Sequence, residues 1–104
     1  MADILALSSA QRNYLRKHAH HLKPVVMIGS RGMAESVVQA CDEALNDHEL
    51  IKVKFQDYKE DRREISEELA QNLNAYMVGI IGNILILFRH APEPEDRHYK
   101  LPAG

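Results

Sequence analysis

The sequence predicts a single α/β domain, a four-stranded mixed sheet with packed helices, in the order α-β-α-β-α-β-β. Three observations carry that expectation. Helix-period and strand-period apolar spacing alternate along the chain, a Gly82-Asn83 pair separates two strand-like apolar runs, and 104 residues suit one core. Strand-helix-strand succession favours parallel pairing, and a two-residue hairpin adds an antiparallel strand.

The first helix begins at Ser8 or Ser9, and Ser8 with Gln11 has the spacing of a capping box. Leu15, Ala19 and Leu22 mark its apolar face, and Pro24 stops it. Residues 24–28 are nearly all apolar, the pattern of an interior strand covered on both faces. A second helix follows Gly29-Ser30-Arg31-Gly32, with Val37, Cys41 and Leu45 four residues apart. Asp42, Glu43, Asp47 and Glu49 face away from that stripe or follow its end. Cys41 is the only cysteine, and its place on the stripe predicts a buried structural thiol.

In residues 50–55, Ile51, Val53 and Phe55 alternate with Lys52 and Lys54, which predicts a half-buried strand with two lysines on its open face. Residues 57–61 form a polar loop in which Asp61 suits a helix cap. Ile65, Leu69 and Leu73 then mark a third helix, made acidic outside by Glu60, Glu64, Glu67 and Glu68. The runs 76–81 and 84–88 flank Gly82-Asn83 as a hairpin. The division is therefore a folded domain over residues 1–90 and an extended, partly mobile tail over 91–104, rich in proline and charge.

Composition is that of an ordinary globular chain, with a formal net charge of −2. No apolar run approaches the roughly 20 residues of a membrane span, and the N-terminus lacks a signal-peptide pattern, so a cytoplasmic, non-membrane protein is expected. The charge is polarised. Residues 1–33 carry five basic residues against one acid, whereas residues 34–104 carry eight against fourteen. Such a distribution suits a basic face beside an acidic remainder, and a local field governs contact with a polyanion more than the net sum does.

The glycine loop is where chemistry concentrates. A strand entering Gly29-Ser30-Arg31-Gly32 and a helix leaving it would aim orphan helix amides at a ligand, and Arg31 adds a cation. Taken alone, the same glycines also suit a plain turn. Arg12, Arg16, His20 and Lys23 recur about every four residues toward the loop's strand, and Lys52 and Lys54 either join this surface or keep an edge soluble. A pair of glycines two residues apart at a helix start is how one RNA-binding module clamps backbone nucleotides. Scarce aromatics argue for recognition of structured RNA by shape and backbone.

Enzymatic readings are weak. Ser30 lacks the glycine spacing of a nucleophile elbow, and the loop lacks the nucleotide-binding endings. His18 and His21 could share a metal, but no carboxylate accompanies them locally; no cofactor, metal or catalytic residue is expected.

The run Leu15-Arg16-Lys17-His18-Ala19-His20-His21-Leu22-Lys23-Pro24-Val25-Val26-Met27-Ile28-Gly29-Ser30-Arg31-Gly32-Met33 closely resembles CRM domains, whose free-standing bacterial form is the YhbY family. His48-Glu49-Leu50-Ile51-Lys52-Val53-Lys54, the run ending Ile81-Gly82-Asn83, and Ile84-Leu85-Ile86-Leu87-Phe88-Arg89 extend the resemblance through most of the chain. It implies a fold similar to the C-terminal domain of the third translation initiation factor. It also implies RNA binding through Gly29, Ser30, Arg31, Gly32 and the adjacent basic surface, with ribosomal RNA in large-subunit precursors as partner. Relatives often carry lysine or asparagine inside the loop, where this chain has Ser30 and Arg31. The expected role is a non-enzymatic, monomeric assembly factor; the alternative is an interaction module docking on a ribosomal protein or assembly enzyme through the acidic third helix.

Overall fold

The computed structural model describes residues 7–30, 34–57 and 60–103. Its elements follow the predicted order: α1 (Ser9–Ala19), β1 (Pro24–Ile28), α2 (Glu35–His48), β2 (Leu50–Phe55), α3 (Arg62–Leu73), β3 (Tyr76–Ile81) and β4 (Ile84–Phe88). The strands form one sheet in the spatial order β1-β2-β4-β3, with β1 parallel to β2 and the other neighbours antiparallel. Gly82 takes a φ of +59°, the left-handed backbone that the two-residue hairpin requires and glycine adopts without steric cost.

Alternation along the strands gives the sheet two cores. On one face Cys41 and Leu45 of α2 and Leu69, Ala70 and Leu73 of α3 pack with Val26, Ile28, Ile51, Val53, Phe55, Leu85 and Leu87. On the other, Leu15 and Ala19 of α1 pack with Leu50, Val78, Ile86 and Phe88. Burial pushes the Cys41 thiol up to about 11, so it stays protonated and inert at neutral pH. Each fully buried leucine or phenylalanine contributes about 2 kcal/mol of apolar transfer, so both faces are needed to hold so short a chain.

α1 starts as its sequence dictates. Ser8 Oγ accepts from the Gln11 amide at 3.1 Å, and Gln11 Oε1 accepts from the Ser8 amide at 3.0 Å, completing the capping box. α3 enters differently, since Asp61 precedes it without a side-chain cap bond. Its exit uses Asn74 in the left-handed region, φ 56°, a cap that asparagine tolerates better than most residues.

One expectation fails at β1. An all-apolar run suggested cover on both faces, yet β1 is an edge strand and Val25 and Met27 are 51% and 47% exposed. The cause is the path of α1, which lies over β2, β3 and β4 and leaves β1 bare on that side.

The segment after β4 runs back over α1, broken by a 3-10 turn at Pro94–Asp96. Tyr99 and Leu101 pack against the α1-side core. The Lys100 amide donates to Tyr14 Oη at 3.2 Å, and Gln11 Nε2 donates to the Pro102 carbonyl at 3.1 Å.

Candidate nucleic-acid interface

The glycine loop is anchored by backbone before it leaves the sheet. The Gln56 amide donates to the Ile28 carbonyl at 2.9 Å and the Phe55 amide to the Asn83 carbonyl at 2.8 Å, tying together the ends of β1 and β2 and the hairpin. Gly29 and Ser30 follow directly, Ser30 exposed; Arg31 and Gly32 lie outside the described residues. Gly29 does not have a left-handed φ, and among the described residues a Cβ placed there would meet only Gln56 Oε1, at an ordinary 3.8 Å. Neither backbone conformation nor packing among the described residues therefore requires glycine at 29.

Behind the loop, α2 starts at Ala34, which offers no side-chain cap. The Val37 and Val38 amides donate to the Ala34 carbonyl at 2.9 and 3.2 Å, which leaves the amides of Glu35 and Ser36 for an external acceptor, although Glu35 places an acid in the same turn. Lys52 and Lys54 project from β2 on the α1 side of the sheet, Lys54 opposite Met27 and Lys52 opposite Pro24. Neither lysine is ion-paired among the described residues.

The helical basic residues separate into groups. Arg16 and His20 border a shallow depression with Asn13, Lys17 and His21. Arg12 is turned inward, its Nη2 donating to the Leu7 carbonyl at 3.2 Å. Lys23 shares a second depression with Asp47, His48 and His98 at the opposite end of β1 from the loop, one strand length or about 17 Å away. His18 is committed to aromatic packing, with its ring 4.4 Å from Tyr14 and 5.6 Å from Tyr99. Basic α1 and acidic α3 occupy opposite faces of the sheet. The charge polarity of the sequence thus becomes a polarity in space.

Two charged residues outside the predicted site proved structural. Glu49 is 1% exposed and closes α2 with φ 66°. Its carboxylate accepts from the Ala91 and His98 amides, both at 2.6 Å, and lies 3.4 Å from His90 Nδ1. Burial pushes this carboxyl upward, but the two amides and His90 outweigh it and hold the group below the usual carboxylate range. Burial, with the Glu49 and Tyr14 charges, pushes the nearby Tyr99 hydroxyl up. Arg89 joins β4 to both helices of the other face. Its position directly after an apolar strand was the only hint of that role.

Among the described residues no group of His, Cys, Asp and Glu could hold a metal ion, and no helix is long and apolar enough to cross a membrane. Residues 7–89 match the model of the CRS1/YhbY (CRM) domain. A protein named an RNA-binding protein from Haemophilus influenzae is 42% identical over 88 residues, covering 84% of this chain and 89% of the relative. One named a probable RNA-binding protein from Pseudomonas aeruginosa is 37% identical over 91 residues, covering 86% and 88%. The solution structure of a hypothetical Staphylococcus aureus protein, described as a candidate RNA binder, superposes with a TM-score of 0.77 at 32% identity, covering 92% of this chain and 99% of that one.

Proposed function

Since the chain belongs to the CRS1/YhbY (CRM) domain family, we propose that it is a non-enzymatic RNA-binding protein of the cytoplasm. In this reading it holds structured ribosomal RNA through the glycine loop and assists assembly of the large ribosomal subunit. The observation that carries it is Gly29: a glycine that neither its φ nor its packing among the described residues requires, ahead of a helix whose N-cap Ala34 has no capping side chain, and two residues beyond Met27, which pairs with Lys54. Phosphate oxygens would approach the loop amides where a Cβ would stand, Arg31 and Gly32 completing the clamp. Lys52, Lys54, Arg16, His20, Lys23 and Arg12 would supply the surrounding field, which positions RNA without reading its bases. Arg12 is engaged by the Leu7 carbonyl and Lys23 lies a strand length from the loop beside Asp47, so these two contribute least.

The test is binding of structured ribosomal RNA by Arg31→Glu and Gly32→Trp at low salt. Both variants should bind more weakly while keeping the wild-type circular dichroism. Unchanged affinity in both would remove the clamp. The acidic outer side of α3, on the face away from α1, supports a second reading, in which a ribosomal protein or assembly enzyme docks there. Ribosomal-particle association that survives nuclease treatment would favour it.

A further inference from the structure

Four side chains at the loop end of the sheet form a row that no helix among the described residues covers. Strand register sets Met27 beside Lys54, Lys54 beside Ile84, and Ile84 beside Ile81, crossing every strand in spatial order. All four project from the α1 side, since their neighbours Ile28, Val53, Phe55 and Leu85 enter the opposite core. α1 packs with Leu50, Val78, Ile86 and Phe88 deeper along the sheet; Ile84 packs at the margin of that core, while Met27 and Ile81 lie outside it. Met27 and Ile81 are 47% and 55% exposed, Lys54 is exposed and Ile84 half-buried. Single exposed apolar residues are unremarkable on a protein surface, but these are aligned, and two residues beyond Met27 the chain enters the glycine loop.

We propose that this row holds unpaired bases of the RNA whose phosphates pass the glycine loop. This rests on the RNA reading of that loop and adds the kind of RNA bound: structured RNA with a single-stranded segment where it meets the protein. At about 4.8 Å between strands the row spans about 14 Å, enough for more than one base. A duplex turns phosphates and ribose hydroxyls outward, and methionine and isoleucine gain nothing from them. Exposed base faces, by contrast, lose water on contact with aliphatic side chains. Lys54 within the row and Lys52 beside it meet the phosphates between those bases, and no acid pairs with either among the described residues. With no aromatic in the row, contact is by burial and not by ring stacking, so base preference is weak.

The experiment compares a hairpin RNA carrying a single-stranded loop with a blunt duplex of the same number of phosphates, titrated against wild type and the Met27→Ala/Ile81→Ala variant. Both side chains are about half exposed, so the variant keeps its fold, which circular dichroism checks. It should bind the hairpin about tenfold more weakly and the duplex unchanged, with an unaltered salt slope. Lys54→Ala should weaken both RNAs. Equal hairpin affinity in wild type and the double variant overturns the proposal. So does a concentration-dependent dimer that the double variant loses while its RNA affinity holds, because the row would then join two copies. Failure of wild type to bind either RNA at low salt instead overturns the RNA reading beneath it.

Discussion

Oε1 of Glu49 accepts a 2.6 Å hydrogen bond from the backbone amide of His98, residues 49 positions apart in the chain. Its other oxygen accepts from Ala91 at the same distance, so one buried carboxylate fixes both ends of the segment leaving β4. The contact persists despite backbone strain, since L-residues at φ 66° cost about 1–2 kcal/mol.

Glu49→Ala should destabilise the protein by about 2 kcal/mol, because the part-buried amides of Ala91 and His98 both lose a charged acceptor. Glu49→Gly should lose about 1 kcal/mol less, since it relieves the positive φ. The folded-state carboxyl lies below its unfolded value, so its contribution is fully present above the ordinary carboxylate range and fades as pH falls through the depressed value. Urea melts of wild type and Glu49→Gln at descending pH should therefore converge in acid. A constant gap across the series would contradict the assignment.

Arg89 is held by four acceptors. Nη1 donates to Asp42 Oδ1 at 2.9 Å and the Leu73 carbonyl at 2.8 Å, while Nη2 donates to the Asp42 carbonyl at 3.1 Å and Asn46 Oδ1 at 2.9 Å. A lysine cannot span this fork, so Arg89→Lys should cost about 1–2 kcal/mol and Arg89→Ala about 3 kcal/mol. Asp42→Asn should cost less, its side chain being 51% exposed. Denaturation midpoints at constant m-value measure all three.

Gly29→Ala separates a turn from a contact surface. The site has ordinary room for a Cβ and no left-handed φ, so thermal stability should stay within about 0.5 kcal/mol of wild type or rise slightly. RNA affinity should nevertheless fall, by about tenfold if a phosphate approaches the backbone there. A stable variant with full affinity would make Gly29 neutral in binding.

Much of the candidate site could be read from the sequence because its signals are local. The glycine loop follows a strand run directly, and the alternation of Lys52 and Lys54 with Ile51, Val53 and Phe55 fixes their face. The helical stripe was less legible, since four-residue spacing aligns Cα positions without fixing where a long side chain ends. Arg12 turns to Leu7, and Lys23 leaves the helix altogether. Glu49 looked like a surface acid at a helix end because its partners, Ala91 and His98, are remote in sequence.

By itself the sequence determined the order of elements, the capping box at Ser8, the hairpin at Gly82-Asn83 and the apolar faces of the helices, all consequences of periodicity or of contacts within a few residues. Tertiary structure decided strand order, and with it that β1 lies at an edge. An apolar strand reads alike whether covered once or twice. Only the path of α1 across β2, β3 and β4 leaves Met27 of β1 facing solvent beside the loop, because side-chain burial is settled by which distant element packs above it.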